Sequence, residues 1–133
     1  MLKLKLEEDG KVLWEIPLQA RAWDRRSLRR EFDEVERDTA RFEATFNALA
    51  NHGRMRMMRI FFRDMERPMG FTELMNELGM NPKIVSDSTK RLRSTGLIEK
   101  NENGKYSPTR TGEAQFLMMS VAMRRMLEIL EKL

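Results

Sequence analysis

The chain contains no cysteine and only one histidine, His52, among its 133 residues. Disulfides and thiolate metal sites are excluded, and nothing points to an oxidising compartment. No phosphate-binding glycine loop is present, and no paired-carboxylate motif in a recognisable pocket setting. An enzyme is therefore not expected, nor a metal or other cofactor. Long hydrophobic runs are missing as well. The longest nearly apolar stretch runs from Phe116 to Met123, far short of the ~20 residues of a membrane span. Lys3, Lys5 and Glu7 interrupt the N-terminus. The expectation is a cytoplasmic chain without signal peptide or membrane partner.

A strong excess of one charge is also lacking. The net charge is +4, and charged residues make up 35% of the chain. The distribution is more informative than the total. Residues 1–50 hold ten basic and eleven acidic side chains, whereas residues 51–133 hold fifteen and ten. The positive excess lies in the second part, where a nucleic-acid partner would be met.

What is present begins with alternation. Leu2, Leu4 and Leu6 alternate with lysines, and Val12, Trp14 and Ile16 follow beyond Glu7-Glu8-Asp9-Gly10-Lys11. This predicts a β-hairpin over 1–18. A three-residue loop, Glu8-Asp9-Gly10, would pair Leu6 with Val12, Leu4 with Trp14 and Leu2 with Ile16, and set Lys3 against Glu15. A lone hairpin is marginal in water, so its Leu/Trp face needs a helix of its own chain or a second subunit.

A long helix is predicted over 24–50, capped by Asp24 or Ser27. Leu28, Phe32, Val35, Thr39, Phe42, Phe46 and Leu49 follow a 4-3-4-3-4-3 spacing, a seam of three heptads. It suits either a helix lying against its own domain or a coiled-coil-like dimer arm. Asn51-His52-Gly53 breaks it. A second helix is predicted from Arg54 to about Glu66, and Arg54 is its best candidate for a phosphate contact. Pro68-Met69-Gly70 reads as a turn, and Thr72 as the cap of a short helix with Leu74, Met75 and Leu78 buried. Gly79 ends that helix.

Residues 81–94 organise the chain. Asn81 is a favourable N-cap, Pro82 fits the first helical position, and Gly96 is a C-terminal stop. Val85, Thr89 and Leu92 share one face. Lys83, Ser86, Asp87, Lys90 and Arg93 are left outside. Small polar and basic side chains on a short helix can enter a major groove. An ordinary amphipathic helix with a solvated face would carry the same pattern, and the neighbouring segments decide between the two. Helix, short glycine-containing turn and helix make a helix-turn-helix. Leu97-Ile98-Glu99-Lys100, the Asn101-Glu102-Asn103-Gly104 turn and Lys105-Tyr106-Ser107, closed by Pro108, make a hairpin directly after it: a wing. Lys100 and Lys105 can reach phosphates or the minor groove. A last helix is predicted from Thr109-Arg110-Thr111-Gly112 to Leu133. Phe116, Met119, Met123, Met126, Leu130 and Leu133 line it at 3-4-3-4-3 spacing. So apolar a helix needs a partner, either the long N-terminal helix, its symmetry mate or both; a methionine-rich ligand surface is the other reading.

Order and residues together resemble the ArsR-type winged-helix transcriptional regulators, in an archaeal-type single-domain variant. Phe46-Asn47-Ala48-Leu49-Ala50-Asn51 through Arg54-Met55-Arg56-Met57-Met58 looks like the family's "aLa…pxRlxIL". Phe71-Thr72-Glu73-Leu74 with Glu77-Leu78-Gly79 resembles its support helix. Val85-Ser86 and Lys90-Arg91-Leu92-Arg93-Ser94-Thr95-Gly96-Leu97-Ile98 resemble "VSxHLxxLxxaGLV". Tyr106-Ser107-Pro108-Thr109-Arg110-Thr111-Gly112 is similar to "YxLTxxG". The resemblance covers about residues 46–112. It implies a homodimer on a two-fold operator in double-stranded DNA. Family metal sensing through Cys or His clusters does not carry over. Asp87 stands where the family usually has arginine, so it either accepts from a cytosine N4 amine or orients Lys83, Lys90 or Arg91. Thr89 replaces the usual buried leucine.

The expected fold is mainly α (α+β): hairpin 1–18, heptad-patterned helix 24–50, winged helix-turn-helix core 51–112 and C-terminal dimerisation helix 113–133. DNA contacts are expected from Lys83, Ser86, Asp87, Lys90, Arg91, Arg93, Lys100, Asn103, Lys105 and Arg54. Asn103 is equally explained as a turn residue, and Arg91 and Arg93 as salt-bridged surface residues. The dimer interface is expected at Phe32, Phe42, Phe116, Met119, Met123, Met126 and Leu130. The alternative function is a winged-helix protein–protein interaction module in a transcription or repair assembly. No residue pattern identifies an effector.

Overall fold

Leu4 faces Ile16 and Leu6 faces Trp14 across the first hairpin, in a computed structural model that describes residues 1–63 and 67–133. Strand β1 (Lys3–Glu8) pairs antiparallel with β2 (Lys11–Pro17). The turn differs from the expected three-residue loop. Glu8 pairs with Lys11, so only Asp9 and Gly10 lie in the turn, both left-handed at φ +51° and +83°. Two successive positive φ values suit the twist of the strands. A register shift between Leu6 and Glu7 then absorbs one residue. Beyond this bulge Leu6 and Leu4 again meet apolar partners, two residues from the expected ones, while Val12 faces Glu7. Lys5, not Lys3, stands opposite Glu15, although both ammonium groups lie within 3.7 Å of its carboxylate.

The chain divides into two compact units, Met1–Phe42 and Glu43–Leu133. The first holds the hairpin, a single 3-10 turn at Ala20–Ala22 and helix α1 (Arg25–Arg37). The Trp23 indole N–H donates to the Pro17 carbonyl at 2.9 Å, tying the connection to the strand end. Asp24 is the helix cap: its carboxylate accepts from the Ser27 N–H at 3.1 Å. The predicted single helix over 24–50 is interrupted. Asp38 leaves helical geometry at φ −95° and ψ 6°, and α2 restarts as Thr39–Leu49. The Thr39 hydroxyl donates to the Val35 carbonyl at 3.0 Å, a back-bond of the kind that bends helices.

The second unit is built on buried residues of several short elements. Helix α3 (His52–Arg63) contributes Met57, Met58 and Phe61. Its expected last turn, through Glu66, lies outside the described residues. Helix α4 (Phe71–Leu78) contributes Leu74 and Leu78. Its cap is Gly70 rather than Thr72, with the Gly70 N–H donating to the Glu73 carboxylate at 3.4 Å. Gly79 ends it in the left-handed conformation, φ +63°. Helix α5 (Pro82–Ser94) buries Val85, Ser88, Thr89 and Leu92.

Pro68-Met69-Gly70, expected as a turn, carries a strand contact. Met69 and Tyr106 exchange both backbone hydrogen bonds, at 2.9 and 2.7 Å, and Met69 is buried. It joins the wing strands β3 (Ile98–Lys100) and β4 (Tyr106–Pro108), paired Ile98 to Pro108 and Lys100 to Tyr106. Pro108 is thus part of the strand. Thr109 caps helix α6 (Arg110–Leu117) through the Gly112 N–H at 2.8 Å, and its own hydroxyl donates to the Gly96 carbonyl at 2.6 Å. Gly112 packs directly on the chain: a Cβ there would stand 1.9 Å from the Leu97 carbonyl oxygen.

The last helix is not one α-helix to Leu133. A π segment, Met118–Ala122, separates α6 from α7 (Met123–Leu130). The Met123 N–H reaches back five residues to the Met118 carbonyl. The Ser120 hydroxyl takes the Phe116 carbonyl at 2.5 Å, the acceptor that Ser120's own N–H would use in an α-helix. Phe116 is buried and stacks on Phe62, ring centres 5.2 Å apart. Beyond it the face opens: Leu117, Met118, Val121, Met123, Leu127, Ile129 and Leu130 are all exposed.

Candidate nucleic-acid interface

Helix α5 is fixed at both ends by local chemistry. The Asn81 side chain accepts from the Ile84 N–H at 2.9 Å, and Pro82 occupies the first turn, as expected. At the other end the Leu97 N–H donates to the Leu92 carbonyl at 2.9 Å and the Gly96 N–H to Arg93 at 3.0 Å. Gly96 is left-handed, φ +76°. This 6→1 and 5→2 pair is a Schellman stop. It turns the chain straight into the wing, so α5 and wing are placed relative to each other by one glycine.

The inner face of α5 is closed. Val85, Leu92, Thr89 and Ser88 are all buried, and the Thr89 hydroxyl is satisfied by the Ser86 carbonyl at 3.0 Å. A threonine therefore replaces leucine there without an orphaned donor. The outer face presents Lys83, Asp87, Lys90, Arg91 and Arg93, all exposed, while Ser86 is half-buried at its edge. Arg91 and Arg93 form no ion pair among the described residues, nor does Asp87.

Asp87, Lys90, Arg91, Ser94 and Arg54 line one open hollow of about 480 Å³. Arg54 enters it already engaged. Its Nε donates to the Ala48 carbonyl at 2.6 Å and Nη2 to the Asn47 carbonyl at 2.8 Å. The guanidinium thus closes the C-terminal end of α2, where carbonyls lack helical partners. Burial, and then the neighbouring Arg91 guanidinium, lower its pKa from the ordinary arginine value. Two of its donors are spent on the fold, which sequence reading could not see.

The wing is ordered by a residue the sequence reading passed over. The Asn101 side-chain oxygen accepts from the N–H groups of Asn103 and Lys105, each at 2.9 Å. The Gly104 N–H returns to the Asn101 carbonyl at 3.0 Å, and Gly104, not Asn103, is left-handed at φ +77°. Asn103 and Lys105 are exposed. Lys100 lies over the Tyr106 ring, its ammonium 5.5 Å from the ring centre, which holds a cation on the wing without neutralising it. The second overlooked residue is Ile84, exposed on the first turn of α5.

The dimer-candidate residues divide by environment. Phe32 and Phe42 are exposed, as are Met123 and Leu130. Met119 and Met126 are half-buried, and Phe116 is buried inside its own unit. Among the described residues no helix is long and apolar enough to cross a membrane.

Residues 51–100 match the family described as bacterial regulatory protein, arsR family. No curated protein matches the chain. Among solved structures it is similar to the multiple antibiotic-resistance repressor (MarR) from Listeria monocytogenes 4b F2365. That alignment has 15% identity and a TM-score of 0.49, and covers 80% of this chain and 79% of the other. The segment from the start of α3 to the end of β3, helix-turn-helix and first wing strand together, is thus similar to the ArsR family of bacterial regulatory proteins.

Proposed function

We propose that the protein is a sequence-specific transcriptional regulator that acts as a homodimer on a two-fold operator. In this reading α5 enters the major groove and the wing, residues 99–106, lies on the backbone or in the minor groove. One observation carries it: α5 has a fully closed inner face and an outer face of exposed Lys83, Asp87, Lys90 and Arg93, inside a segment similar to the ArsR family. Affinity comes from Lys83, Lys90, Arg91, Arg93, Lys100, Asn103 and Lys105 at phosphates. Selectivity comes from Lys83, Ser86, Asp87 and Lys90 at base edges. Arg54, held by α2, contributes charge to the hollow beside Asp87. The exposed apolar side chains of α6 and α7 favour a second copy as partner, because so large an apolar face is unusual on a monomer.

A gel-shift series at several salt concentrations tests this. Lys90→Glu is expected to abolish binding, and Lys105→Ala to lower the salt slope by about one unit. Unchanged affinity for Lys90→Glu would remove α5 from the groove. If the unmodified protein binds no duplex at low salt, the interaction-module reading replaces this one; the Asp87 carboxylate on the outer face, without an ion pair among the described residues, is the observation that favours it.

A further inference from the structure

We propose that Ile84 reads a thymine through its 5-methyl group, fixing base preference at one position of each half-site. This rests on the groove reading above. Ile84 is 47% exposed and is not among the apolar side chains packed on the core. It lies on the first turn of α5, three residues before Asp87 and seven before Arg91, so the three form one ridge of the helix. First-turn residues of a recognition helix are those that meet base edges. Beside it on the helix stand Lys83 and Asp87, both exposed and both charged.

The major groove offers hydrogen-bonding groups at every base pair but only one apolar group, the thymine methyl. An isoleucine on this ridge has no other chemical complement there. Its presentation is also fixed. The backbone N–H of Ile84 is held by the Asn81 cap at 2.9 Å, and a β-branched side chain in a helix has one dominant rotamer. The methyl surface is therefore aimed before DNA arrives, and little side-chain entropy is lost on contact.

The experiment starts by selecting preferred duplexes from a random pool with the full-length protein. Each thymine is then replaced singly by uracil, which removes only the methyl group, and affinity is measured by fluorescence anisotropy. The unmodified protein should lose about fourfold at one thymine per half-site, the worth of roughly one buried methyl, and nothing at the others. Ile84→Ala should bind the thymine duplex about that much more weakly and lose nothing further with uracil. Ile84→Val, which keeps the branch, should retain the discrimination. Indifference of the unmodified protein to every uracil overturns the proposal, as does an Ile84→Ala protein that keeps the penalty. Failure of the groove reading shows separately, as enrichment of no duplex at all, and ends this inference with it.

Discussion

The two units of this chain are ordered in different ways. Every buried side chain described lies between Ala48 and Phe116, and none lies in Met1–Phe42. The second unit gathers apolar residues from α2 to α6 and closes them into a core. The first has comparable apolar residues, but places them on a two-stranded sheet and on one stripe of α1. Leu6, Val12, Trp14, Phe32 and Val35 remain exposed. Its order is carried by hydrogen bonds: the β1–β2 ladder, the Asp24 cap and the Trp23-to-Pro17 bond. Its exposed Lys–Glu15 pairs add little. The lesson is that periodic apolar residues make a core only when several elements converge on them.

The strongest way to break that comparison is a matched pair of truncations. Leu92→Ala should cost about 2–5 kcal/mol in denaturant unfolding, because Leu92 is fully buried. Phe32→Ala, at 61% exposed, should stay within about 0.5 kcal/mol in dilute protein. A loss for Phe32→Ala that grows with protein concentration would show its face covered by a second copy. Next in size is Gly112→Ala. The added methyl meets the Leu97 backbone, which cannot swing aside as a side chain can, so about 1–3 kcal/mol is expected in thermal or denaturant melts.

The same cap chemistry can then be removed from each unit. Asn81→Ala should lower the unfolding free energy by about 1 kcal/mol. Asp24→Ala removes an equal hydrogen bond from a helix without buried residues; it should reduce helical circular dichroism and leave the main unfolding midpoint in place. The smallest effect concerns Glu73. A hydrogen bond from Arg67, then one from the Gly70 N–H, hold its carboxyl below the ordinary range. Being depressed, it contributes stability in full above the ordinary carboxylate range and loses it as pH falls through the lowered value. Arg67→Gln should bring that titration back up, as read by carboxyl-carbon NMR.

The parts legible in the sequence were those that one residue decides locally. Asn81, Pro82, Gly79 and Gly96 set helix ends by their own chemistry, and Val85, Thr89 and Leu92 marked the buried face by spacing. Hairpin register was not legible, because a bulge between Leu6 and Glu7 leaves the apolar alternation intact while changing every partner. The break at Asp38 was hidden by a heptad pattern that runs through it unbroken. The sequence makes Arg54 a candidate phosphate contact and hides its ties to Asn47 and Ala48, which exist only once α2 has ended beside it. Ile84 has no role in the sequence pattern of α5, where charge alone marks the outer face.

The π segment in the last helix has a consequence for how that helix can be held. Five residues, Met118–Ala122, take up the turn in which an α-helix would use fewer. Everything after it sits one place out of step, a phase slip of about 100° around the axis. Phe116 and Leu130 share a stripe on paper but point along different bearings. A partner cannot run down this helix as along a straight rail; it must meet two short stretches set at an angle. Phe116, Met119, Met123, Met126 and Leu130 would form one stripe only if α pitch ran through Met118–Ala122, so the alignment of this surface is set by backbone pitch rather than by side-chain identity.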